Sequence, residues 1–305
     1  MKKNKFLKVF SSAVALSVVL AGCSSSSNNS SSTKGAKPKV EFKTSVDNGG
    51  NLKEGQTLKY GILSSTPLTG LWNAVFSDQA TDQFVNQNVM GGTFPTDAEG
   101  RAKLDKEDAP VKMHLDREKN EVTLTIHKDL KWNNGENVTS KDIVATYELM
   151  GNPKFTTNVR YNDSYEFIEG MKEYHEGKAS SISGIQVKDD RTVVVKYNQL
   201  RPSIQWGEGM VTDFLNAKQV AEASKDFTKF VEAELNKKPL SYGPYYITKE
   251  VNGESVLAEA NPHYYQKDKV KTKKVEFKVV APAQASSVIK AGEVDIIESV
   301  TSGVY

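Results

Sequence analysis

Four kinds of residue in this chain could do chemistry: a lone cysteine, scattered histidines, adjacent acids and isolated tryptophans. None sits in a catalytic signature. The chain has no Gly-rich phosphate loop, no HExxH, no GxSxG and no paired-cysteine spacing. His114 and His127 share the polar face of one expected hairpin, where two imidazoles could hold a metal. If Asp116 pairs with Glu121, however, His127 falls opposite Pro110, about 13 Å from His114. Solvated surface histidines are then the reading, with no metal and no cofactor. Asp189-Asp190 has the composition of a hairpin turn. Glu293 and Asp295 would act as an acid pair only if the fold set their separation and their pKa values. Trp72, Trp132, Trp206 and the tyrosines around 242 to 246 are core residues or the wall of a ligand site. Trp72 is the best candidate for a wall, because Leu68 to Asn73 is a loop without apolar periodicity.

Cys23 is the only cysteine, so no intramolecular disulfide can form. It ends a segment with Lys2, Lys3, Lys5 and Lys8, an apolar run from Val9 to Leu20, and Ala21-Gly22. Twelve helical residues span about 18 Å, short of the roughly 30 Å of a bilayer's hydrocarbon core. Leu20-Ala21-Gly22-Cys23 resembles the lipobox of bacterial lipoproteins, which implies a signal peptide over 1 to 22 and a diacylglyceryl group on Cys23. Two acyl chains would anchor the chain stably on the extracellular face of the cell membrane. From Ser24 to about Asn51 the sequence is rich in Ser, Asn, Lys and Gly and is expected to be a disordered spacer. Its 28 residues would reach about 30 Å. Removing the first 22 residues takes the formal charge from +2 to −2, so no cationic excess remains for nucleic acid.

The elements that must position any site read as mixed α/β. Strands are expected at 57–63, at 245–251, 255–260 and 274–280, and in hairpins at 111–115 with 122–126 and 185–188 with 192–197. Helices are expected at 78–89, with Ala80, Phe84 and Val85 on one face, from a Thr139/Asp142 capping box to about Gly151, and at 165–176. Helical stretches between 202 and 236, a helix at 283–290 and a strand at 294–298 complete the reading.

Four ordered motifs carry a family resemblance. Gln87 to Phe94, followed by Asp97 to Gly100, is similar to an early "EGL" segment, with Gly91 in place of the glutamate. Leu124 to Tyr147 has the strand, Trp, Asn-Gly turn and Thr-x-x-Asp helix start. Ser241 to Tyr245 with Asn261 to Tyr265 resembles a "GPY" strand and "NPxYW", and Ala291 to Ile296 an "AGEIDI" step. Together they resemble the extracellular solute-binding proteins of the oligopeptide, dipeptide and nickel class, which serve ABC importers.

That resemblance implies a two-lobed clamp gripping an extended peptide by backbone hydrogen bonds, with a membrane permease as partner, a monomeric state and no enzymatic activity. Here a first lobe is expected over 52–280, with an inserted subdomain over 84–197, and 281–305 as the start of a truncated second lobe. By the same resemblance, ligand contacts fall on Leu71, Trp72, Asn73, Tyr161, Tyr242 and Gly243. The acid that pairs with the peptide's amino terminus belongs to the second lobe, so residues 24 to 305 alone are expected to bind weakly. A peptide-signal receptor or adhesin lipoprotein, and a secreted hydrolase, are the alternative classes.

Overall fold

The computed structural model describes residues 55–298. Cys23, the export segment and the spacer lie outside the described residues, as does the end of the chain from 299 to 305. Among the described residues no helix is long and apolar enough to cross a membrane.

Alternating apolar residues build two sheets. β1 (Thr57–Leu63) lies inside a five-stranded sheet with β6 (Tyr245–Val251), β7 (Ser255–Ala260), β8 (Lys274–Val280) and β9 (Ile296–Ile297), in the order β6-β7-β8-β1-β9. β1 runs parallel to both β8 and β9, starting opposite Lys274 at Thr57, whereas β6, β7 and β8 pair antiparallel. α1 (Ala80–Met90) closes one side of it, with Val85 and Val89 meeting Ile62, Val256, Val275 and Phe277 in a shared core.

The second sheet is antiparallel throughout, from β2 (Val111–Asp116), β3 (Glu121–Ile126), β4 (Ile185–Asp189) and β5 (Thr192–Lys196), in the order β2-β3-β5-β4. Its buried face, Val111, Met113, Val122, Leu124, Val193 and Val195, packs with Trp132, Ile143 and Tyr147. The last two belong to α2 (Ser140–Met150), which starts where the Asp142 carboxylate accepts the Thr139 N–H at 2.7 Å. The other Asp142 oxygen accepts the Ala217 N–H at 2.8 Å, tying α2 to the start of α4 (Ala217–Ala223). The short α5 (Glu234–Lys237) precedes β6, and α6 (Ala285–Lys290) precedes β9.

Two expected elements differ. The helix over 165–176 is broken: a 3-10 turn at Asp163–Phe167 is followed by extended Ile168, and α3 covers only Met171–His175. Ile168 bridges to Tyr197, the Glu169 N–H bonds the Lys196 carbonyl, and Gly170 turns the chain at φ 74°. Pairing at the end of β5 therefore overrides helical periodicity there. The strand over 294–298 narrows to β9, although the Asp295 and Glu298 N–H groups still bond the Lys59 and Gly61 carbonyls.

Candidate functional site

A constellation of polar and aromatic groups surrounds a cavity of about 400 Å³ lined by loop and helix residues. One wall comes from the loop after β1 (Ala74, Val75) and from α1 (Gln83, Asn86, Gln87, Met90). Facing it are Arg160, Asn162 and Tyr165 after α2, and the segment Trp206 to Asp213.

The loop wall is held by Asp82, which is fully buried on α1. Its carboxylate accepts the Thr69 N–H at 3.0 Å, the Leu71 N–H at 3.2 Å and the Thr69 hydroxyl. Asn86 then donates to the Leu71 carbonyl at 3.2 Å. These bonds explain why the buried face of α1 carries Thr81, Asp82 and Asn86, while Ala80, expected on the apolar face, is exposed. Asn73 is buried, and its Oδ1 accepts the Val75 N–H at 3.0 Å, which shapes the turn that delivers Ala74 and Val75 to the cavity.

Trp72 corrects the expectation that it forms an exposed wall. Only 3% of it is accessible, it belongs to the core of the five-stranded sheet, and its Nε1 donates to Glu250 Oε2 at 2.9 Å. The loop lacks periodicity because it is pinned by hydrogen bonds, and the indole anchors it to β6. Trp206 is the aromatic that stays open: it is 55% exposed, lines the cavity, and is fixed by Nε1 donating to the Glu99 carbonyl at 3.1 Å. Pro202 opens the 3-10 turn ending at Trp206, and Gly207 closes it at φ 85°.

Two opposite charges line the same cavity. The Asp213 carboxylate accepts the Thr93 hydroxyl at 3.0 Å, and Thr93 in turn meets the Tyr242 hydroxyl. Tyr242 also accepts the Phe214 N–H at 3.2 Å and sets its ring edge-on to Trp132. No described cation forms an ion pair with Asp213, and burial pushes its carboxyl above the ordinary range. Arg160 donates through one guanidinium nitrogen to the Ser77 carbonyl, while its buried Nε has no partner. Next to it, Tyr161 stacks on His175 with ring centres 3.8 Å apart. The buried Tyr161 hydroxyl is unpartnered and is pushed up to about 12 by desolvation.

None of the six residues expected to touch a ligand lines this cavity; they bond or pack against residues that do, or lie next to them in the chain. Leu71, Trp72 and Asn73 fix its loop wall, Tyr161 adjoins Arg160, and Tyr242 supports Asp213 through Thr93. Gly243 packs on the backbone of Met90. Sequence reasoning passed over Asp82, Asn86, Arg160 and Asp213, which have no motif spacing. Trp206 was visible only as one tryptophan of three.

The two histidines stand apart, as the hairpin register requires: Asp116 pairs with Glu121, and the His127 N–H bonds the Pro110 carbonyl. His114 meets Asp105 at 2.9 Å, and His127 packs on Tyr265. The turn between β4 and β5 is Asp190-Arg191, one residue later than expected, because Asp189 still pairs with Thr192 as the last residue of β4 and accepts the Arg191 N–H at 2.8 Å.

Comparison with known proteins places this geometry. Residues 113–304 match the family described as bacterial extracellular solute-binding proteins, family 5 Middle. The oligopeptide-binding protein OppA of Lactococcus lactis subsp. lactis is 32% identical over 315 residues, covering 100% of this chain and 51% of that protein. The structure of lactococcal OppA complexed with an endogenous peptide, in the closed conformation, superposes with a TM-score of 0.73 at 28% identity, over 81% of this chain and 46% of that one. MppA, a periplasmic murein tripeptide binding protein in its unliganded open form, shares the fold with a TM-score of 0.65 at 19% identity, over 83% of this chain and 47% of that one. The chain spans about half the length of the curated relatives it matches.

Proposed function

Because the chain belongs to the bacterial extracellular solute-binding proteins of family 5, we propose that it captures oligopeptides outside the cell for delivery to the membrane permease of an ABC importer. The names of its relatives support this reading: they are oligopeptide- and dipeptide-binding proteins, and the lactococcal OppA structure is complexed with an endogenous peptide. In this reading Cys23 carries the lipid anchor, residues 24 to 51 form the spacer, and the role is capture without bond cleavage.

The observation that carries the proposal is the cavity itself. An open indole, an arginine and an unpaired carboxylate converge on it, offering an apolar platform and both signs of charge to a peptide that has both. Main-chain bonds would set affinity and the cavity would receive a side chain. Because the chain spans about half the length of the curated relatives it matches, residues 24 to 305 alone bind peptide weakly in this reading.

Photo-crosslinking with an oligopeptide mixture carrying a benzophenone tests it. Adducts should map to residues 74–75, 160–165 and 206–213 and should disappear when unlabelled peptide is added. Adducts confined to other surfaces, or indifferent to competitor, would overturn the proposal.

A further inference from the structure

We propose that the lysine-rich loop between β7 and β8 is a membrane-docking surface that engages anionic lipid headgroups. Lys267, Lys269, Lys271, Lys273 and Lys274 fall within eight residues, interrupted by a single acid, Asp268. All five are exposed. Only Lys274 has a carboxylate partner, Glu259 at 3.5 Å. Lys269 donates to the Gln266 side chain at 3.2 Å, while Lys271 and Lys273 donate to the Asp268 and Val270 carbonyls at 2.8 and 2.9 Å. Their charge is left uncancelled within the protein.

The loop is also held in shape. The Lys267, Lys269 and Val270 N–H groups bond the Tyr264, Gln266 and Lys267 carbonyls in successive turns, so the ammonium groups project from a fixed scaffold. Acids facing the loop are few. Glu259 is taken by Lys274, and Asp108, near Lys269, is held by Lys106 at 3.0 Å. Asp295 accepts the Lys59 N–H instead of an ammonium.

Charge complementarity identifies the occupant. In the parallel ladder Thr57 pairs with Lys274, so the basic loop sits at the end of the sheet where β1 begins. A bilayer surface rich in phosphate is complementary to uncancelled lysines gathered at that end. Nearness of the chain to a membrane rests on the proposed acylation of Cys23; affinity of the loop for anionic lipid does not.

The test therefore uses the full chain carrying Cys23→Ser, which cannot be acylated, co-sedimented with vesicles at a lipid concentration where half of it is bound. Its partner variant adds Lys267→Glu, Lys271→Glu and Lys273→Glu. Any binding by the export segment is common to both. On vesicles of equal phosphatidylglycerol and phosphatidylcholine, the triple reversal should lower the partition constant by about a hundredfold, as roughly fivefold for each of three lysines implies. The difference should vanish on pure phosphatidylcholine and shrink as salt shortens the Debye length. Equal partitioning of the two chains on the anionic vesicles, or a partition constant that does not respond to salt, would overturn the proposal. Failure of the acylation reading would appear separately, as absence of a lipid mass increment on Cys23 in the wild-type chain.

Discussion

Gly243 lies against the carbonyl of Met90 so closely that a β-carbon at position 243 would fall inside it. Gly243 does not use left-handed backbone, so contact alone demands glycine here. The neighbouring Asn261 side chain reinforces the approach by donating to the Gly243 carbonyl at 2.9 Å. Gly243→Ala should therefore cost about 1–3 kcal/mol by overpacking, since the opposing atoms are backbone and cannot rotate away. Guanidinium unfolding measures it; an unchanged midpoint would show that the two segments separate freely.

Trp72 and Glu250 join the loop after β1 to the edge strand β6. Glu250→Ala removes the acceptor of the indole N–H from an exposed position where water can replace it, at a cost of about 0.5–1.5 kcal/mol. Trp72→Phe removes that donor, so the double variant should lose less than the two single losses combined, by at least about 0.5 kcal/mol. Strict additivity in the cycle would mean that the hydrogen bond contributes nothing to the loop.

Asp213 predicts an inverted pH dependence. Burial raises its folded pKa, so the folded protein binds this proton more tightly than the unfolded chain does. Its stabilising share is complete below the ordinary aspartate value of about 3.9 and is lost as pH rises through the raised folded value. Asp213→Asn keeps an acceptor for Thr93 but cannot ionise. Its stability relative to wild type should climb across that window and then level off. A difference that stays flat with pH in paired urea titrations would contradict the assignment.

Trp206 should separate binding from stability. It is more than half exposed, so Trp206→Ala ought to change folding stability by less than about 1 kcal/mol. If the indole is the platform for a peptide, crosslinking yield at 206–213 should fall several-fold in the same variant. A variant that loses stability while keeping its yield would make Trp206 a structural residue.

Strands were the legible part of this fold. Thr57–Leu63 and Lys274–Val280 follow two-residue alternation, and their bounds, with those expected for Tyr245–Val251 and Ser255–Ala260, coincide with the observed ones. The Thr139/Asp142 box was equally readable, because capping is local chemistry. The helix expected over 165–176 failed because Ile168 and Glu169 answer to β5, a partner far along the chain. The site resisted for the same reason. Thr93, Asp213 and Tyr242 stand about 120 and 30 residues apart, and only the folded chain makes them one hydrogen-bonded row.

β9 meets β1 through two residue pairs only, Tyr60 with Ile296 and Gly61 with Ile297. A ladder this brief, on an edge and in parallel register, is the part of the sheet that opens before the rest unfolds. Its amides should exchange with solvent deuterium far sooner than those of β8 on the other flank of β1. β1 would then keep one long-lived neighbour and one short-lived neighbour, so the five-stranded sheet would breathe from one side.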